Sequence, residues 1–212
     1  MREGFIVFAP DARGFGERQE LASKGNILAS SCQWINNMAM PLGQTVTGMW
    51  TWDLHRLIAY VETRDDCDVT RLGCAGLSGG GLQTLWATAL DERIRCAVVS
   101  GYLYGYKESL LDQHQNCSCN YVPHLYEYVD MGDIAALIAP RPLHMNFGEL
   151  DDGSPIDEVR QGIETIVHTY ERAGAPEHFS HYIEPGSGHI LSREMWRRTR
   201  DWFRTHLSAR SG

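Results

Sequence analysis

The stretch that decides the fold is "RLGCAGLSGGGLQTLWATAL", Arg71 to Leu90. Its front, Arg71 to Gly76, reads as a short apolar strand, and a helix begins directly after Ser78, with apolar residues at helical spacing. Between them lies "GLSGGG", Gly76 to Gly81. Such a run can be a flexible linker, a phosphate cradle or a turn that lifts one side chain clear of the backbone. A phosphate loop would end in Lys-Ser/Thr to grip phosphate and magnesium, and this one does not. With a strand before and a helix after, Gly76-Leu77-Ser78-Gly79-Gly80 reads as the G-x-S-x-G turn of a nucleophilic serine.

Working outward, the chain alternates strand with helix. "FIVFA" (Phe5 to Ala9) reads as a strand buried on both faces, and "DARGFGERQ" after it as a loop. Residues 19 to 45 read as polar and irregular, with Pro41 and Gly43 as breakers. From Val46 to Val61 a helical period places Val46, Trp50, Leu54, Leu57, Ile58 and Val61 on one face. Beyond the serine turn come a strand over Arg95 to Leu103, a long aromatic-rich excursion, and a short helix near Ile134 to Ile138. A strand in "RPLHMNFGE", a helix over Ile156 to Ala173, a strand in "HFSHYIE" and a helix over Ser192 to Leu207 complete the order. This alternation predicts one α/β domain over residues 1–212, a mostly parallel sheet with helices on both faces.

In such a sheet the working residues stand at the carboxyl ends of the strands. Read in order, those ends offer Ser78, Asp151 and His189. The triad chemistry needs these types: a neutral histidine removes the serine proton, while a carboxylate fixes the tautomer and stabilises the imidazolium. Glu149 and Asp152 neighbour Asp151 and the sequence does not fix which carboxylate faces the imidazole; Asp151, at the top of its strand just before Asp152 to Pro155, is the favoured one. The Gly79 amide, beside a helix N-terminus, is the expected first oxyanion donor. Of the other histidines, His124 and His144 are candidates to lie near the site.

The formal net charge of −8 and a pI near 5.5 argue against a nucleic-acid partner. No apolar run is long enough for a membrane span, and the N-terminus lacks the pattern of a secretory signal. The six cysteines read as reduced thiols, which suits a cytoplasmic protein. The pair Cys117 and Cys119 lacks a companion cluster at zinc spacing, and a disulfide involving one of them stays open.

With these residues in view, the chain resembles the α/β-hydrolase superfamily, and within it the acetyl xylan esterase, cephalosporin-C deacetylase and dienelactone-hydrolase-like branch. The likeness runs from about Gly4 to Leu207 and rests on "APDARGFGE", "GLSGGG", "ALDERIRCAVVSGY", "DIAALIAPRPL", "GELDDGSP" and "GSGH". It implies a serine esterase acting on small acyl esters, with no metal and no organic cofactor. It also implies an N-terminal truncation: "GFIVFAPDARGFG" corresponds to the family's fourth strand and loop, and only Met1 to Glu3 precede it here. The absent portion normally completes the oxyanion hole. The expected repair is for Phe5 to Ala9 to pair directly with Arg71 to Ala75, bringing an amide near Asp11 or Ala12 to serve as second donor. An exposed sheet edge would also favour a homo-oligomer. The alternatives are a prolyl-oligopeptidase-like serine peptidase and a truncated hydrolase domain of low activity that acts mainly in assembly.

Overall fold

The serine turn sits at one edge of a parallel sheet. A computed structural model describes residues 3–20, 30–113 and 116–208. The chain divides into two compact units, Met1–Asp68 with Cys117–Val122, and Val69–Asn116 with Pro123–Gly212.

The second unit holds the sheet: β1 (Leu72–Leu77), β2 (Ile94–Ser100), β3 (Leu143–Gly148) and β4 (Phe179–Glu184). Its strand order is β1-β2-β3-β4, and every pairing is parallel. Parallel neighbours need crossovers, and helices supply them. α3 (Gly79–Leu90) joins β1 to β2, α4 (Met131–Ala136) precedes β3, α5 (Ile156–Arg172) joins β3 to β4, and α6 (Arg193–Leu207) follows β4. Successive residues of β1 show that both faces are covered. A Cβ on Gly73 would meet Leu207 and Phe203 of α6 at 2.6 and 2.9 Å, whereas Cys74 Sγ lies 3.5 Å from Thr84 Oγ1 of α3. Gly73 is therefore glycine because α6 lies directly on it. The central strands β2 and β3 are buried almost throughout, which is why they read as continuous apolar runs.

Caps fix where the helices begin. The Asp130 side chain accepts from the Met131 amide and Asp133 from the Asp130 amide, a reciprocal box at the start of α4. Ser192 Oγ accepts from the Met195 amide at the start of α6. The excursion after β2 begins as core packing: Tyr102, Leu103, Tyr104, Tyr106 and Leu110 are buried, and Glu158 of α5 accepts from the Gly105 amide and the Ser109 hydroxyl. Its tip at Tyr126 and Tyr128 is exposed.

The first unit carries α1 (Cys32–Ala39) and α2 (Val46–Val61). Thr45 Oγ1 caps α2 by accepting from the Gly48 amide. Helix α1 falls where the sequence reads as irregular; its buried positions Cys32, Ile35, Asn36 and Ala39 have helical spacing, but polar Gln33, Asn36 and Asn37 conceal it. The rest of that stretch, residues 21–29, lies outside the described residues.

Phe5–Ala9 departs from expectation. It forms no strand, and Ile6 and Val7 are 52% and 60% exposed, so it is not buried on both faces. The expected pairing with Arg71–Ala75 is absent, since β1 pairs only with β2 among the described residues. A strand needs a partner ladder to satisfy its amides and carbonyls, and an apolar run without one has no second face to bury against.

Beneath the sheet's carboxyl end lies a buried polar chain. His144 Nε2 contacts Asn146 Oδ1 at 3.0 Å, and Asn146 Nδ2 donates to Ser100 Oγ at 3.1 Å. Burial pushes the His144 imidazole down to about 4. A histidine held neutral in the fold but free to protonate when unfolded destabilises the fold as pH drops from the unfolded value, about 6.5, through 4. Wild type should therefore lose on the order of 3 kcal/mol of unfolding free energy across that window. His144→Gln should lose distinctly less, as read from urea midpoints at pH 7.5 and pH 4.5.

Candidate active site

Ser78 occupies the single residue between β1 and α3, with φ 57° and ψ −121°. A side chain at positive φ is strained by about 1–3 kcal/mol and persists only where neighbours over-determine it. Here they do. The Ser78 amide donates to Ser100 O at 2.9 Å, and the Leu82 amide donates to Ser78 O at 2.9 Å. The crossing is so close that a Cβ on Gly76 would stand 2.1 Å from Gly80 O, and one on Gly81 2.8 Å from Ser100 O. Gly76 and Gly81 are thus glycine for clearance. Gly79, the first residue of α3, has open space at its Cβ position.

Asp151 follows β3 and is 3% exposed, a burial that a carboxylate tolerates only with partners. Oδ2 accepts from His189 Nδ1 at 2.7 Å, and Oδ1 accepts from the Gly153 amide at 2.9 Å. Its neighbours do other things. Glu149 accepts from the Gly186 amide at 2.9 Å, bracing the histidine loop, and Asp152 is exposed. Of the three carboxylates the sequence leaves open, Asp151 is the one bonded to the imidazole.

His189 follows β4 in a loop laced to the Asp151 loop. The Leu150 amide donates to Ser187 O at 2.7 Å, and a Cβ on Gly148 would stand 2.2 Å from Gly188 O. The bond from Asp151 holds the His189 imidazole above its ordinary value, against the opposing effect of partial burial. The ring rests on Gly101, just past β2: a Cβ there would lie 3.2 Å from His189 Cε1 and 3.2 Å from Leu77 Cδ1. Ser100 meanwhile holds the Ser78 amide, and the Gly101 amide donates to Asn146 O at 2.8 Å. The ends of all four strands thereby converge on one place. Ser100, Gly101 and Asn146 were not singled out from sequence; only the glycine ending an apolar strand in "VVSGY" hinted at one of them.

The remaining candidates make other contacts. His144 is buried in the polar chain already described, with its ring 5.6 Å from that of Trp202. His124 is exposed and contacts Glu127 at 2.7 Å. Asp11 and Ala12 belong to the first unit. There Asp11 Oδ2 accepts from the Glu17 amide at 3.0 Å, and Ala12 O from the Phe15 amide at 3.0 Å. The expectation that their amides complete an oxyanion hole rested on the strand pairing that is absent. The neighbouring Arg13 braces the loop, donating from Nε and Nη2 to Asp53 at 2.8 Å each. Among the described residues no helix is long and apolar enough to cross a membrane.

No family model matches the chain. A protein of Bacillus subtilis (strain 168) named "Putative hydrolase YtaP" is 29% identical over 208 residues, spanning 94% of this chain and 65% of that protein. Among solved structures, a "putative acetyl xylan esterase" from Bacteroides fragilis superposes with TM-score 0.73 at 18% identity, over 86% of this chain and 48% of its own. The glucuronoyl esterase catalytic domain of Hypocrea jecorina gives TM-score 0.66 at 18% identity, over 78% and 52% of the two chains. A glucuronoyl esterase from Solibacter usitatus gives 0.63 at 20%, over 78% and 50%. The chain thus spans about half the length of these structures and less than two thirds of the curated relative. The parallel sheet, its strand-end loops and these superpositions agree on the α/β-hydrolase fold.

Proposed function

We propose that the protein is a serine carboxylesterase that hydrolyses small acyl esters, acetyl-like ones first, through an acyl-enzyme on Ser78. The observation that carries this reading is the 2.7 Å bond between His189 Nδ1 and Asp151 Oδ2, with the imidazole on Gly101 beside a strained serine turn. A proton on Nδ1 committed to Asp151 leaves the lone pair on Nε2. His189 Nε2 then takes the Ser78 hydroxyl proton as Oγ attacks the ester carbonyl, and Asp151 stabilises the imidazolium. The Gly79 amide, at the positive end of α3, stabilises the developing oxyanion. The imidazolium returns its proton to the departing alcohol. Water, activated by the same histidine, then releases the acid and restores Ser78. The esterase names of the structural relatives, and the hydrolase name of the curated one, favour this class over a peptidase.

The test is release of p-nitrophenol from the acetate and butyrate esters. Ser78→Ala should fall to background, and Asp151→Asn should lose ~10³–10⁴ in kcat because the imidazole is held in the wrong tautomer. Equal rates in wild type and Ser78→Ala would remove the esterase reading and leave the assembly module.

The pH profile has a definite sign. A raised His189 pKa keeps the base protonated to higher pH, so the acid limb of kcat/KM should have its midpoint above the ordinary imidazole value of about 6.5. In Asp151→Asn the residual activity should show that midpoint moved downward.

Gly101→Ala should separate positioning from binding. The new methyl meets the imidazole and Leu77 at a residue with φ 57°, pushing His189 off its line to Ser78. A displacement of about 1 Å costs ~100-fold, and the few tenths of an ångström needed here should cost roughly several-fold. The loss should appear in kcat with KM little changed, measured on the same acetate ester.

A further inference from the structure

The unit built from Met1–Asp68 and Cys117–Val122 brings together three thiols that the serine site does not use. Cys32 opens α1, while Cys117 and Cys119 flank the start of the turn Ser118–Asn120. Their sulfurs all lie within 4.8 Å of one another. Cys119 therefore has its companion after all, in Cys32 from a distant stretch of the chain. Cys32 and Cys119 are buried, Cys117 is exposed, and all three are free thiols.

We propose that Cys32, Cys117 and Cys119 form a site for one thiophilic cation, Zn²⁺, with a fourth coordination position open on the Cys117 side. Tetrahedral zinc with bonds of about 2.3 Å requires sulfurs about 3.8 Å apart, so closing the set takes shifts on the order of 1 Å. Binding releases the thiol protons and leaves a site with one excess negative charge. Cys32 places part of that charge at the N-terminus of α1, the positive end of the helix dipole. Asn120 Nδ2 donates to the Cys119 sulfur at 3.7 Å and to Cys117 O at 2.9 Å, the kind of outer hydrogen bond that orients metal ligands. The Thr47 hydroxyl of α2 donates to Cys119 O, fixing that backbone. Cys117 is exposed, so a water would fill the fourth position. Three ligands plus one such position is a set zinc accepts. With its ligands on two segments, the ion would clip residues 117–122 onto α1, and the role inferred is structural.

The experiment uses the full chain, reduced and stripped of metal, titrated with Co²⁺. One equivalent should produce sulfur-to-cobalt charge-transfer absorption and tetrahedral d–d bands, and Zn²⁺ should abolish both. Zn²⁺ should also protect Cys32, Cys117 and Cys119 from alkylation, while Cys67, which lies outside the cluster beside Asp66, stays reactive. Cys117→Ser, at an exposed position that leaves packing intact, should weaken Zn²⁺ binding on the order of tenfold or more; Cys67→Ser should not. The alkylation arm needs no variant, so a poorly folding mutant does not end the test. Absence of tetrahedral cobalt bands with every thiol reduced would overturn the proposal. So would equal weakening by Cys67→Ser, or a disulfide within the trio that persists when zinc is present under reducing conditions. None of these readouts uses ester hydrolysis, so the result stands apart from the Ser78 assay.

Discussion

A strand can pass into a helix within one residue only if the two backbones can nearly touch, and the contact between Gly76 and Gly80 is where this chain meets that condition. Any side chain at Gly76 would collide with Gly80 O at 2.1 Å. The closeness drives Ser78 to positive φ, and that conformation turns its side chain out of the ladder while its amide stays bonded to Ser100. The strain, about 1–3 kcal/mol, is offset by the packing of α3 on β1 and β2. Glycine here works by having no side chain; chain flexibility plays no part.

The second requirement is that two loops from different strands agree to within a hydrogen bond. Asp151 and His189 meet because β3 and β4 are adjacent and parallel, so both loops leave the same end of the sheet. The close passage of Gly148 against Gly188 then brings the loops together. A carboxylate as buried as Asp151 needs both oxygens occupied, and Gly153 and His189 occupy one each. The opposing carboxylate is also why His189 binds its proton more tightly.

Most of this was legible in the sequence, because each part leaves a local mark. The strand-turn-helix around Ser78 is continuous in the chain, and β2 and β3, buried on both faces, read as unbroken apolar runs. The choice among Glu149, Asp151 and Asp152 was legible only as a preference for Asp151, from its place before Pro155. Three carboxylates within four residues differ in which one the loop turns inward, and that depends on Ser187 and Gly186 of another loop. Phe5–Ala9 failed for a related reason: apolar, β-branched composition states a preference for a strand, but a strand exists only with a partner ladder.

The cysteine trio carries that argument furthest. Metal-site patterns in sequence are local spacings, and they work because two ligands on one turn already define half a coordination shell. "CSC" supplies such a half, and the other ligand comes from the first turn of α1, a helix whose own polar face hides it. Nothing in the spacing links the two segments. They are joined by tertiary contacts, the Thr47 bond to Cys119 O among them, which seat residues 117–122 in the unit built by α1 and α2. Soft donors with weak hydrogen bonds of their own gain little from being gathered in this way unless something binds them. An ion shared by all three would convert that gathering into folding free energy for a unit whose described residues form little secondary structure beyond α1 and α2.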